Sequence, residues 1–248
     1  MTTLNELTLG EHLAELRKRL IACLVVVFVS FSIIMGFYID PVMTFFTNPV
    51  RQQGINLVYI GLGDVIIVQV KAALICALLL TAPFLLWHIW QFVKPALYEN
   101  ERKHAFLLGS VIIALFVVGV AFGYFMVFWA AVNFFVMLGQ GMAQPMLSID
   151  AYMDFLLGFV LPFGLVFELP VLCYVLGKLG LVNYEMLTKY RRHVILVIFI
   201  IAALLTPPDV LSQVLMAVPM LVLYELGILV LRITNRHKEI ENGESRIN

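Results

Sequence analysis

Between Tyr152 and Leu176 the chain reads YMDFLLGFVLPFGLVFELPVLCYVL, long enough to cross a bilayer as a helix. Glu168 lies well inside this run. An acid near the centre of a spanning helix costs roughly 2.5–3.5 kcal/mol on insertion scales. Pro162 and Pro170 flank it, and each proline frees a backbone carbonyl that another group must satisfy. Two chemistries fit. A protonated Glu168 bonds a neighbouring helix or a freed carbonyl, or the acid marks a polar pocket inside the membrane, open to water or a partner. The coincidence of acid and prolines favours the pocket.

A second set of carboxylates lies in polar sequence: Glu15 near the start, and Glu99 and Glu101 in the segment WQFVKPALYENERKH. Each has an ordinary use. Glu15 can pair with Arg19 at i,i+4, worth a few tenths of a kcal/mol. Glu101 can neutralise Arg102 or cap the apolar run that follows. Brought together, two such acids form a docking place for guanidinium groups, whose forked donors match carboxylates bidentately.

Other chemistries find no support. Cys23, Cys76 and Cys173 all fall in apolar runs without a Cys-x-x-Cys pair, which reads as small buried hydrophobes rather than a disulfide or zinc site. The five histidines are scattered. Neither a phosphate-cradling Gly-x-x-x-x-Gly-Lys-Ser/Thr run nor a Gly-x-Ser-x-Gly elbow occurs. Gly61-Leu62-Gly63 and Gly139-Gln140-Gly141 read as loop punctuation. No enzyme, cofactor or metal is expected, and if the protein moves anything it does not hydrolyse nucleotide itself.

The elements that must position these acids are set by composition. Of 248 residues, 62% are hydrophobic and 13% charged, with mean hydropathy +0.99; a soluble domain carries about 25% charge. Sixteen Lys and Arg balance sixteen Asp and Glu, so no nucleic-acid footprint appears. The chain is an all-α polytopic membrane protein.

Thr8 to Glu11 has the spacing of a capping box, and Leu9, Leu13, Leu16 and Leu20 form an apolar stripe. An amphipathic helix over about 8–19, lying on the membrane surface, is expected. The first span continues to about Phe37 without a small-residue cleavage site, and so is read as uncleaved. Asp40-Pro41, Asn48-Pro49 and Gly54 predict turns, with Val42–Phe46 packed on the membrane surface. A second span covers about Val65–Trp90, with Pro83 late in it and Lys71 placed to snorkel. The third covers about Phe106–Val132, where Gly119-x-x-x-Gly123 admits a close neighbour. A loop without Lys or Arg follows over Asn133–Ala151. After the Glu168 span and a short basic segment, His193–Leu205 is only about 20 Å of helix before Pro207-Pro208. The sixth run, about Val210–Leu231, contains Pro219.

Six spans, the fifth and sixth short, put both termini on one side. That side then holds fourteen of the sixteen Lys and Arg, leaving only Arg51 and Lys71 opposite. The positive-inside rule places both termini in the cytoplasm. Residues 1–232 read as a single six-helix domain and 233–248 as a polar cytoplasmic tail.

The run His12-Leu13-Ala14-Glu15-Leu16-Arg17-Lys18-Arg19-Leu20 resembles the N-terminal signature of TatC, the multispanning core of the twin-arginine protein translocase. Further matches come in the family's order: Ala82-Pro83; Pro95-Ala96-Leu97-Tyr98 with Glu101-Arg102; Phe163-Gly164 with Phe167-Glu168-Leu169-Pro170; Thr206-Pro207-Pro208-Asp209-Val210 with Ser212-Gln213; and Leu223-Tyr224-Glu225. Trp87-His88 departs from a frequent Tyr-Gln, and Gly61–Lys71 lacks the family's proline and glutamate.

The resemblance implies a receptor for twin-arginine signal peptides in the bacterial inner membrane. It would recruit single-span TatA and TatB proteins, assemble with copies of itself, and export folded cargo on the proton-motive force. It assigns signal contacts to Glu15 and Glu101, with Arg17, Arg19 and His88 beside them. Glu168, Pro170 and Gln213 form the intramembrane polar or partner site. Pro49, Pro83, Pro95, Tyr98, Phe167, Asp209 and Glu225 have structural or assembly roles. A competing class is a proton-coupled secondary transporter using Glu168, with Glu225 as a second relay member. Such folds show paired broken spans in related halves, and no repeat is visible here. A purely structural scaffold is the third option.

Overall fold

The structure is a computed structural model that describes residues 9–93, 105–139, 146–206 and 209–244. The described chain is helical apart from one pair of two-residue strands and short connections. In order it runs α1 (Leu9–Ile33), a π-helical turn (Ile34–Tyr38), α2 (Ile39–Arg51), β1 (Leu57–Val58), α3 (Asp64–Val93) and α4 (Ala105–Phe122). A second π-helical turn (Gly123–Phe128), α5 (Trp129–Gly139), β2 (Leu147–Ser148), α6 (Ile149–Val166) and α7 (Leu169–Lys178) follow. The described residues end with α8 (Tyr184–Lys189), α9 (Arg191–Leu205) and α10 (Val210–Glu244).

Five helical stretches among the described residues are long and apolar enough to cross a membrane: Arg17–Arg51, Asp64–Gln91, Phe106–Gly139, Ile149–Lys178 and Val210–Ile233. Four lie within a few residues of the runs expected from hydropathy, apart from the third's extension to Gly139. The last, at 24 residues, is about 36 Å of helix, so the expectation of a short sixth span is corrected. The remaining apolar run is α9, 15 residues long or about 22 Å. It is a helix, but shorter than the roughly 30 Å hydrocarbon core.

The first stretch departs furthest from expectation. No turn forms at Asp40-Pro41 or Asn48-Pro49, and Val42–Phe46 is part of α2 rather than a separate surface segment. Pro41 stands third in α2, three residues past the end of the π turn at Tyr38, where its missing N–H forfeits no bond to a carbonyl of α2. Thr44 Oγ1 also donates to the Asp40 carbonyl at 2.9 Å. The stretch Arg17–Arg51 is 35 residues, about 52 Å, so it outruns the bilayer. Gly54 is the stop the sequence suggested. At φ +74° it closes α2 with two bonds, its own N–H to Arg51 O at 3.0 Å and Ile55 N–H to Val50 O at 3.3 Å, the pattern of a Schellman cap. The segment expected as a lead-in, from Leu9, continues without a turn into the first span; Thr8 lies outside the described residues.

The third span likewise runs past its expected end. Asn133 begins no loop: helix continues to Gly139, because the residues after it stay apolar and the Asn133 side-chain oxygen accepts from Gln53 Nε2.

Two compact units result, Met1–Phe46 with Gln69–Gly109, and Thr47–Val68 with Ser110–Asn248. In the first, Ile34 packs on Ala73 and Ala77, with Phe31, Met35, Val42 and Cys76 around them. Small residues four apart on α3 let another helix come close. In the second, Phe128, Met153, Leu156, Phe159 and Phe163 are fully buried. There α4 meets α6 through the Gly119-x-x-x-Gly123 step: a Cβ added at Gly119 would sit 2.8 Å from Phe167 Cβ, and one at Gly123 would sit 2.9 Å from Phe163 Cβ. The close approach read from that spacing is present. β1 and β2 pair in parallel, Leu57 opposite Leu147 and Val58 opposite Ser148.

Candidate functional site

Glu15 lies on α1, where i,i+4 geometry puts Arg19 one turn away on the same face. Arg19 Nη2 approaches Glu15 Oε1 at 2.6 Å and Nε reaches the same oxygen at 3.1 Å. The guanidinium does not stop there. Its Nη1 donates to Gln91 Oε1 at 2.8 Å and to the His88 carbonyl at 3.3 Å, both near the end of α3. Arg19 is thus a rivet between the beginning of α1 and the end of α3, with one side holding Glu15. Its side chain is 21% exposed, that of Glu15 40%. Both contacts fall on Oε1, and among the described residues Oε2 carries none. The acid is held through one oxygen while its side chain stays partly exposed.

His88 joins by its backbone only. Its ring sits 4.0 Å from that of Phe84, and Nδ1 lies 2.9 Å from the Phe84 carbonyl, so the ring is folded back on its own helix. Arg17 is exposed. Glu101, Pro95 and Tyr98 lie outside the described residues. Gln91 is a member that sequence reasoning missed. Its spacing of three from His88 puts both on one face of α3, but an amide among aromatic residues carries no motif.

The second candidate site is a break in a span. The stretch read as one helix is two, α6 and α7, joined by a turn at Phe167-Glu168. The reason is local. Pro170 has no N–H to bond the Val166 carbonyl, and it falls at the second position of α7, where helices tolerate proline. The Glu168 carbonyl starts the new helix by accepting from Leu172 N–H at 2.8 Å. Its carboxylate oxygen Oε1 is buried with no hydrogen-bond partner among the described residues. Phe167 packs its ring 5.4 Å from Phe122 of α4.

The structure does not join Gln213 to this acid. Gln213 Nε2 donates to the Phe199 carbonyl at 3.0 Å, tying α10 to α9, and the buried Oε1 of Glu168 has no hydrogen bond from it or from any other described residue. Asp209 caps α10 through Oδ1, accepting from Ser212 N–H at 2.7 Å. Glu225 pairs with Arg191 Nη2 at 2.8 Å across α9 and α10, and the neighbouring Tyr224 hydroxyl donates to Leu187 O at 2.9 Å. Pro49 and Pro83 lie inside α2 and α3. The three cysteines are unpaired. Among the described residues no cluster of three or more His, Cys, Asp and Glu side chains forms a metal site.

A family model described as Sec-independent protein translocase protein (TatC) matches residues 11–219. The Sec-independent protein translocase protein TatC of Carboxydothermus hydrogenoformans is 43% identical over 225 residues, covering 90% of this chain and 92% of the relative. TatCy of Bacillus subtilis is 35% identical over 243 residues, 98% of this chain and 95% of its own length. The crystal structure of a twin-arginine translocase receptor, TatC, superposes with TM-score 0.82 at 34% identity, covering 91% of this chain and all of that one.

Proposed function

Because the chain belongs to the TatC family of Sec-independent protein translocase proteins, a multi-pass membrane component of a protein translocase, we propose that it is the receptor for twin-arginine signal peptides. The reading makes it also the core scaffold on which a folded-protein translocase assembles. The observation that carries this is the riveted acid: Glu15 held through one oxygen by Arg19, which reaches the end of α3, with its second oxygen unbonded among the described residues. A carboxylate pinned on one side by a guanidinium is already oriented for a second guanidinium, and its desolvation is partly prepaid by the first. In this reading Glu101 supplies the second carboxylate, so that two arginines of a signal meet two acids. Arg17 contributes to the same surface.

Six helices cross the bilayer, α9 being the short one, with both termini in the cytoplasm and the Glu15 surface therefore on the basic, cytoplasmic side of the bacterial inner membrane. Cargo passes on the proton-motive force, with single-span TatA and TatB-type partners and further copies of this chain. Glu168 at the α6–α7 break is the polar element within the membrane. A broken helix with a half-buried acid, one of whose oxygens is buried without a hydrogen bond among the described residues, suits partner recruitment or gating. The same feature would suit a proton-coupled transporter, which predicts no affinity for the peptide.

The test is peptide affinity of the purified full chain. Glu15→Ala and Glu101→Ala should each lower affinity for a twin-arginine peptide at least tenfold, the scale of one lost charge-assisted bond, with helical content unchanged. Retained affinity in both variants would overturn the assignment.

A further inference from the structure

Arg51 ends α2 and Asp64 opens α3, so the residues between them connect two helices long and apolar enough to cross a membrane and lie on one side of it. Two features of this connection point at the lipid itself. The first is a cavity of about 400 Å³ whose rim includes Thr47, Arg51, Asn56 and Tyr59. Arg51 is the only cation in the sequence between Arg19 and Lys71. It is exposed, and it makes no ion pair among the described residues. A guanidinium beside an amide and a phenol is a donor set for a phosphate.

The second feature adjoins the first through Tyr59. The residues Tyr59, Ile60 and Leu62 are 53%, 80% and 103% exposed, an unusual display of large apolar side chains at a turn. The turn is held, not loose. Asp64 Oδ2 accepts from Gly61 N–H at 2.7 Å and from Ile60 N–H at 3.1 Å, clamping the tip to the start of α3, while β1 pairs Leu57 and Val58 with β2 behind it. From the tip an exposed apolar line continues onto α3. Ile66 follows Leu62 by one helical step of four, and both are exposed. An exposed apolar surface at the start of a helix long enough to cross a membrane suits the interfacial layer, where tyrosine is favoured.

We infer that this connection is a phospholipid seat: the pocket at Arg51 takes the phosphate of a headgroup, and the Tyr59–Leu62 tip is buried in the acyl boundary beside it. The occupant is a bilayer phospholipid, drawn by charge to Arg51 and by area to Ile60 and Leu62. The full chain, purified in detergent and mixed with phosphatidylglycerol, should retain the lipid in native mass spectrometry. Arg51→Gln should weaken that retention about tenfold, while Arg51→Lys restores part of it. A nitroxide on Leu62→Cys, in a chain whose Cys23, Cys76 and Cys173 are alanine, should in phosphatidylcholine–phosphatidylglycerol vesicles be relaxed more by dissolved oxygen than by a water-soluble nickel chelate. Unchanged lipid retention in Arg51→Gln, or a label relaxed chiefly by the nickel chelate, would overturn the seat. So would displacement of the lipid by an equal concentration of inorganic phosphate, which would show a pocket for free anions.

Discussion

Arg19 serves two acceptors on one helix and one residue on another, and its replacement separates them. Arg19→Gln removes the charge that orients Glu15 and the fork that reaches Gln91 and the His88 carbonyl. The expected result is about a fivefold loss of peptide affinity, in the range of a partly exposed ion pair. Arg19→Lys should recover little, because an ammonium lacks the fork; titration of labelled peptide checks both. Half of this cluster is readable in sequence, since Glu15 and Arg19 stand one turn apart. Gln91 is not, because which helix end α1 meets is a tertiary fact. Gly158 gives the same lesson in packing. Nothing near it in sequence marks it, whereas the Gly119-x-x-x-Gly123 step announces itself. Yet a Cβ at Gly158 would collide with the carbonyl of Leu205, the last residue of α9. Gly158→Ala should destabilise the protein by about 1–3 kcal/mol, the usual scale of overpacking, lowering its thermal midpoint in detergent without changing peptide affinity.

At the scale of elements, breaks and lengths decide behaviour. The α6–α7 turn was half legible: the two prolines forecast freed carbonyls, but a full interruption depends on Pro170 falling where a new helix can begin. Glu168→Gln keeps the side chain's size and removes its charge, so the chain should insert and fold normally while transport falls several-fold. Full transport by Glu168→Leu would make the residue filler. Neither Asp40-Pro41 nor Asn48-Pro49 makes a turn: Pro41 falls in the first turn of α2, where helices tolerate proline, and Pro49 lies inside α2 two residues before its end. The shortness of α9 was legible from composition alone. Its apolar residues Leu196, Val197, Ile200 and Leu204 are exposed, and a helix about 8 Å shorter than the hydrocarbon core thins the bilayer or is covered by partners. Tilting would make the mismatch worse. We propose that single-span partners dock along Ile195–Leu205 and that cargo crosses where the bilayer is strained. Inserting about five leucines, roughly 7–8 Å of helix, should impair transport and leave peptide binding intact, read by cargo export and titration on the same variant. Unchanged transport would remove thinning from the mechanism.

For the whole molecule, hydropathy located every apolar run, because a bilayer imposes length and polarity on any helix that crosses it. Charge asymmetry supplies an orientation that a structure without a membrane does not contain. Site chemistry is less legible at this scale, since its parts come from distant segments. Glu15 and Gln91 meet only after α1 and α3 pack, and Gln213, grouped with Glu168 by motif order, is engaged instead with Phe199. The central claim is that this chain reads paired guanidinium groups, and charge alone is not enough. The most direct measurement compares the affinity of the purified full chain for a twin-arginine signal peptide and for the same peptide with both arginines changed to lysine. Bidentate recognition predicts tight binding of the first and at least a tenfold loss for the second, since lysine keeps the charge but lacks the fork. Equal affinity for the two peptides, or binding to neither, would contradict the account.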